Sequence, residues 1–185
     1  ISRNHGGHVE ARVHPTMVPE NHLLASINGA FNAIHFQGDM VGNVLFYGLG
    51  AGSVPTGSAV AADVVDIARN IRNNCVGRVP SLAYLPGAMR TRAITPMAEL
   101  YGPYYFRFTV LDQPGVLATI AGILSRHDIS IESVIQKGRK KVGAVPLVLV
   151  THSARESAVS AALDEISRLE AVTAPVVKIR ILEEE

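Results

Sequence analysis

Phe46-Tyr47-Gly48-Leu49-Gly50-Ala51-Gly52-Ser53-Val54-Pro55-Thr56-Gly57-Ser58-Ala59 reads as a strand end, a glycine-rich loop and a helix start. Such a turn lets backbone N–H groups approach an anionic ligand with no Cβ in the way. Two familiar phosphate loops do not fit it. Gly52 and Gly57 have the G-x-x-x-x-G spacing of a P-loop, but Ser58 stands where that loop needs lysine. A dinucleotide fingerprint needs G-x-G-x-x-G opening the first helix of a βαβ unit. Here the pattern is G-x-G-x-G, followed by Pro55 and Thr56. Two roles stand open for these glycines: contact with a cofactor or substrate, or simply letting the helix turn back against the sheet. Thr56 likewise has two readings, ligand contact or a plain helix N-cap.

A second turn has similar chemistry. In Asp112-Gln113-Pro114-Gly115-Val116-Leu117 the N–H groups of Gly115, Val116 and Leu117 open a helix and can receive a carboxylate. Asp112 can accept from an ammonium group or hydroxyl, or cap the helix. Gln136, on a later strand, is a weaker contact candidate. Metal chemistry finds little support. Among the 7 histidines the close pair is His5-Gly6-Gly7-His8, with flexible glycines and no acidic or cysteine cluster to complete a site, so no metal is expected. His14, before Pro15, reads as a strand-end hydrogen-bonding residue rather than a general base. Cys75 has no nearby base in the sequence and no CxxC partner.

The elements that position these turns fall into two parts. In the first, Val9-Glu10-Ala11-Arg12-Val13-His14 alternates as a half-buried strand does, closed by Pro15 and Pro19. Leu23 to Asn28 reads as a short helical turn. Phe31, Ala33, Ile34 and Phe36 mark a strand, and Val44 to Tyr47 another. A helix runs from about Thr56 to Asn73, with Val60, Val64, Ile67 and Ile71 on one face. Its small residues Gly57, Ser58, Ala59, Ala61 and Ala62 suit tight packing on a sheet. Residues 75–103 read as a linker, broken by Gly77, Pro80, Pro86, Gly87 and Pro96 and kept solvated by Arg78, Arg90 and Arg92.

The second part has a clearer pattern. Tyr105 to Leu111 alternates as a strand, and Val116, Leu117, Ile120, Ile123 and Leu124 give a helix stripe. Ile129 to Ile135 is a strand, 137–143 a charged hairpin loop, and Ala144 to Thr151 an apolar strand despite Pro146. Ser153-Ala154-Arg155-Glu156 reads as a capping box before a helix lined by Val159, Ala162, Leu163, Ile166 and Leu169. Val172 to Leu182 is a last strand, with Pro175 at an edge or bulge. The order βαββαβ over 104–182 implies a ferredoxin-like antiparallel sheet with both helices on one face. Its open edges and face make a homodimer or higher homo-oligomer the expectation.

Composition narrows the function classes. The chain has 185 residues, is 48% hydrophobic and carries a formal net charge of +1. It can bury a core and has no basic block, so neither nucleic acid nor a membrane is an expected partner. A single cysteine forbids an internal disulfide and suits a cytoplasmic setting.

Phe106 to Leu117, a strand followed by D-x-P-G-V-L opening a helix, resembles the ACT domain, an amino-acid-sensing module. Ile129 to Gln136 resembles the second strand of that module. The first part resembles the C-terminal portion of the homoserine dehydrogenase catalytic domain. The residues that carry this are Arg12-Val13-His14-Pro15, Leu24 to Ala33, and Gly50-Ala51-Gly52 followed by Pro55-Thr56 and Ser58-Ala59-Val60. Ile94-Thr95-Pro96-Met97 also fits bacterial members. The resemblance implies three parts: 1–74, the end of the catalytic, substrate and dimerisation domain; 75–103, a linker; and 104–185, an ACT regulatory domain.

The family interconverts L-aspartate 4-semialdehyde and L-homoserine with NAD or NADP. The resemblance implies that Gly50, Ala51, Gly52 and Thr56 face the cofactor, and that Asp112, Gly115, Val116 and Leu117 bind an effector, expected to be threonine. In the family the Rossmann domain, the acidic substrate residues and the catalytic lysine precede the R-V-H-P strand. No position here matches them, so no catalytic residue is assigned and this stretch alone is expected to be inactive. The alternative is a separate ACT-type regulatory subunit. The R-V-H-P and G-A-G-x-x-P-T segments disfavour it, since a pure regulator does not need them.

Overall fold

The computed structural model describes residues 1–80, 82–136 and 143–183. In chain order the elements are β1 (Ser2–Asn4), β2 (His8–Ala11), β3 (Thr16–Met17), a 3-10 turn (Leu23–Ser26), β4 (Phe31–Gly38), β5 (Gly42–Leu49) and α1 (Ser53–Arg72). Then come β6 (Ala93–Ile94), β7 (Tyr101–Gly102), β8 (Tyr104–Leu111), α2 (Val116–Arg126), β9 (Ile131–Gln136), β10 (Ala144–Thr151), β11 (Ala154–Arg155), α3 (Glu156–Ile166) and β12 (Val177–Ile181). The chain divides into two compact units, one of Ile1–Pro19 with Arg92–Glu185, the other of Glu20–Thr91.

The first unit is built on a five-stranded sheet of order β3-β12-β8-β10-β9. Without β3, its strands and the helices α2 and α3 give the expected βαββαβ order. The alternation along β8 buries Tyr104, Phe106, Phe108 and Val110 on one face, and β10 adds Val145, Leu147 and Leu149. Ile120, Ile123 and Leu124 of α2, with Val159, Ala162 and Ile166 of α3, close the same core. Each of these side chains is at most 2% exposed. Pro146 does not interrupt β10: it stands opposite Thr109 of β8, within an unbroken register from Ala144 to Val150. The expected loop at 137–143 lies outside the described residues, apart from Gly143.

Several elements differ from the sequence reading, each for a local reason. Ser153 does not cap α3. Instead Ala154 and Arg155 pair with Gly102 and Tyr101, and the helix begins at Glu156, whose amide donates to the Leu100 carbonyl at 2.9 Å. The Glu156 carboxylate cannot complete a capping box because Tyr104, Lys178 and Arg180 take it. The helix stops at Ile166, short of Leu169. The last strand is shorter than 172–182: Val172 makes an isolated bridge to Val110, and regular pairing resumes only at Val177. The strand expected over 9–14 ends at Ala11, in the small sheet β1-β2-β6, and the polar positions of the stretch are the buried ones. Glu10 is 4% exposed and Val13 fully exposed.

The expected boundaries at 74 and 103 do not coincide with the division between the units. β3 pairs in parallel with β12, Thr16 opposite Arg180 and Met17 opposite Ile181, so residues 1–19 belong with the C-terminal sheet. β2 likewise pairs with Ala93–Ile94, inside the expected linker.

The second unit holds the β4–β5 hairpin and α1. The hairpin is in full register from Phe31 opposite Leu49 to Gly38 opposite Gly42. Phe31 stacks on Tyr47 at 4.8 Å, and Phe36 meets Phe46 edge-on at 5.8 Å. The expected helix forms, but its apolar stripe does not pack: no residue of α1 is buried, and Val60, Val64, Ile67 and Ile71 are all more than half exposed.

Candidate functional site

The β8–α2 turn forms one wall of a cavity of ≈ 520 Å³, within the range of small-molecule sites. Asp112, Gly115, Val116 and Leu117 all line it, and Gln136 and Leu147 close it from β9 and β10. Sequence reading thus put together residues that the fold also brings together. Gly115 adopts a left-handed conformation (φ 91°), which reverses the chain into α2 at little steric cost. No side chain caps this helix end, so capping is not the role of Asp112. The Val116 N–H reaches only a long 3.4 Å contact with the Gln113 carbonyl, and the first helical turn supplies no acceptor for the amides that follow. The turn therefore offers amide donors beside a carboxylate, which suits a ligand that carries both a carboxylate and an ammonium group.

The glycine-rich loop lies between β5 and α1. Gly52 takes φ 125° and is itself the N-cap, so the helix starts at Ser53, before the position expected. Thr56 is consequently not the cap. It sits in the first turn, and its amide donates to the Gly52 carbonyl at 3.1 Å. A Cβ on Gly50 would run into the Asn32 side chain, so packing within the hairpin accounts for that glycine. The exposed N–H groups of Ser53 and Val54 remain directed out of the helix end, while Pro55 has none to give. This end offers two backbone donors, which suits one polar or anionic group.

Two charged clusters in the first unit escaped sequence reading. In one, the Glu156 carboxylate accepts from the Tyr104 hydroxyl (2.8 Å), Lys178 Nζ (2.6 Å) and Arg180 Nε (2.9 Å). Burial pushes this carboxyl up, but the hydrogen bonds from Lys178, Tyr104 and Arg180 outweigh it and hold the group below the ordinary carboxylate value. Burial and the bond to Glu156 push the Tyr104 phenol well above its usual value. In the other, Glu10 Oε1 lies 2.8 Å from Arg12 Nε and 3.8 Å from Arg3 Nη1. The Arg12 contact is electrostatic, its N–H aimed off the oxygen. No sequence signal links residues 104, 156, 178 and 180; the pairing of β12 with β8 and the seat of α3 bring them together.

His14 lies near these groups. Its Nδ1 is 3.0 Å from the Pro15 carbonyl and 2.9 Å from Thr16 Oγ1. A carbonyl only accepts, so Nδ1 carries the proton, and the buried Nε2 has no hydrogen-bond partner. Burial lowers its pKa, and Arg180 and Arg12 lower it further, against the opposing effect of the Pro15 carbonyl. Among the described residues no cluster of His, Cys, Asp and Glu could hold a metal ion. Among them, too, no helix is long and apolar enough to cross a membrane.

Comparison with known proteins sets these features in a family. Residues 2–65 match the family model "Homoserine dehydrogenase", and residues 104–171 match the ACT domain model. The chain is 43% identical to the homoserine dehydrogenase of Pseudomonas aeruginosa and 42% identical to that of Neisseria gonorrhoeae, in each case over 98% of its own length. A crystal structure of a homoserine dehydrogenase from Thiobacillus denitrificans superposes with a TM-score of 0.86 at 42% identity, over 98% of this chain and 41% of that one.

The chain belongs to the homoserine dehydrogenase family.

It spans 42% of the length of these two curated homoserine dehydrogenases. A Staphylococcus aureus homoserine dehydrogenase shares the fold at 23% identity, with a TM-score of 0.58. The homoserine dehydrogenase match straddles the two compact units: residues 2–19 lie in the unit that holds the ACT sheet, and 20–65 in the other.

Proposed function

We propose that this chain supplies the C-terminal part of an NAD(P)-dependent homoserine dehydrogenase, which interconverts L-aspartate 4-semialdehyde and L-homoserine, and that its ACT pocket takes threonine as a feedback effector. The observation that carries the regulatory half is the Asp112–Leu117 wall. It joins the amides of a helix start, one carboxylate and a cavity of ≈ 520 Å³ in a single turn. Threonine matches each of these: its carboxylate would meet the amides of Gly115, Val116 and Leu117, and its ammonium group would meet Asp112. Identity over 98% of the chain, beyond the module alone, favours the enzyme over a separate regulatory subunit.

For the catalytic half, Gly50, Ala51, Gly52 and Thr56 would face the cofactor across the α1 N-terminus. The nicotinamide, when bound, supplies or accepts the hydride. The chain's own contribution is two backbone amides, at Ser53 and Val54, on the positive end of a 20-residue helix. The working form is a homo-oligomer in the cytoplasm, a setting supported by one cysteine in 185 residues.

Calorimetric titration of L-threonine into the purified chain, with serine, valine and methionine as controls, tests the effector assignment. Saturable heat selective for threonine is expected, lost in Asp112→Ala. Equal or absent heats from all four amino acids would sink the assignment.

A further inference from the structure

β8 connects two places that the effector reading treats separately. Its last residues, Val110 and Leu111, line the pocket, and its first, Tyr104, donates to Glu156 at the other end of the strand. Between them Phe106 and Phe108 are fully buried, so the strand is clamped along its whole length. α2 leaves the pocket wall and packs with α3 in the same core, and α3 begins at Glu156. The strand and the helix that build the pocket therefore both lead to one carboxylate.

From Glu156 the path continues to β12 through Lys178 and Arg180, and Arg180 is the residue paired with Thr16 of β3. β3 has the shortest pairing in the sheet: two residue pairs, plus the Leu182 amide donating to the Met17 carbonyl at 2.8 Å. So short a parallel pairing opens at lower free energy than the strands in the core. Just beyond it, at Glu20, the chain passes into the other compact unit.

We propose that occupancy of the Asp112–Leu117 pocket tightens the β3–β12 pairing through Glu156, so that Thr16–Met17 is the joint by which an effector acts on the rest of the dehydrogenase. This rests on the effector reading above. The joint qualifies because so short a pairing is the part of the sheet that opens most readily, and a ligand acts by favouring the paired arrangement over the open one. An ordered pocket wall holds β8 and α2 in the positions that place Tyr104 and Glu156 under β12.

Residue-resolved amide exchange on the full chain, with and without saturating L-threonine, tests it. The amides of Val116 and Leu117 report on the pocket, and that of Leu182 reports on the joint. Both are expected to slow, Leu182 by about five-fold or more. Glu156→Gln should keep the pocket response and lose the response at Leu182. Slowing at the pocket with unchanged or faster exchange at Leu182 overturns the joint and leaves the effector reading intact. No response at either place overturns both. Lys178→Met serves as the second variant if Glu156→Gln does not fold, and the wild-type comparison decides without either.

Discussion

Glu156 is the residue on which the first unit's charge balance turns. Its side chain is 9% exposed, and its carboxylate compensates two cations while accepting a hydrogen bond from a phenol. Removing it leaves Lys178 and Arg180 facing each other without a counter-charge. Deleting one partner of a buried pair typically costs 3–5 kcal/mol. Lys178 and Arg180 still reach solvent, so Glu156→Ala should cost about 3 kcal/mol, the lower end of that range. Urea denaturation would measure it; a loss indistinguishable from that of an exposed glutamate would show that the cluster is not a structural charge centre. The local pattern S-x-x-E assigns this residue a different task, the return bond of a capping box. The partners that claimed the carboxylate are distant in sequence and close only through strand pairing.

At the scale of elements, the attachment of β3 to β12 should be sensitive to acid. His14 is held below the ordinary histidine value of 6.5, so it stays neutral in the fold while the unfolded chain takes up a proton. A lowered pKa contributes stability that is present above 6.5 and lost as pH falls below it, through the folded value. Glu156 is also lowered, and its share is lost further down, below 4.5. Arg180, Arg12 and the chain's amino terminus face this region, and all three oppose a charge on His14. Thermal melts between pH 7 and pH 4 should therefore show a falling midpoint, with a shallower fall in His14→Asn. Identical slopes for the two proteins would rule out a contribution from His14.

For the whole molecule, the apolar surface of residues 20–91 is the main physical fact. Ile34, Phe36, Phe46, Val64 and Ile67 are each more than half exposed, on the β4–β5 hairpin and on α1. Patches of this kind mark interaction surfaces. The isolated chain should associate with rising concentration in sedimentation velocity, and Phe46→Ser should weaken that association at little cost to the fold, since the ring is already 62% exposed. A wild-type chain that sediments as a monomer at every concentration would end this reading.

Whatever depends on neighbours along the chain is legible in the sequence. The β8–α2 turn, its glycine, the alternation of β8 and β10 and the helix stripes of α2 and α3 are short-range patterns, and they gave the ACT module and its pocket wall. The alternation of residues 9–14 is legible too, because a strand has a period of two whichever way it faces, although the strand itself ends at Ala11. Which side of this stretch is buried is set by the fold: Glu10 of β2, and Arg12 beyond it, turn their side chains inward as an ion pair, while Val13 is left to solvent. The tertiary structure alone decided that Thr16–Met17 joins a sheet built from residues 104–181, because parallel pairing across so long a stretch leaves no local mark. The stripe on α1 makes the same point from the other side: a period of 3.6 residues specifies an apolar face, and what covers that face is a property of the folded assembly.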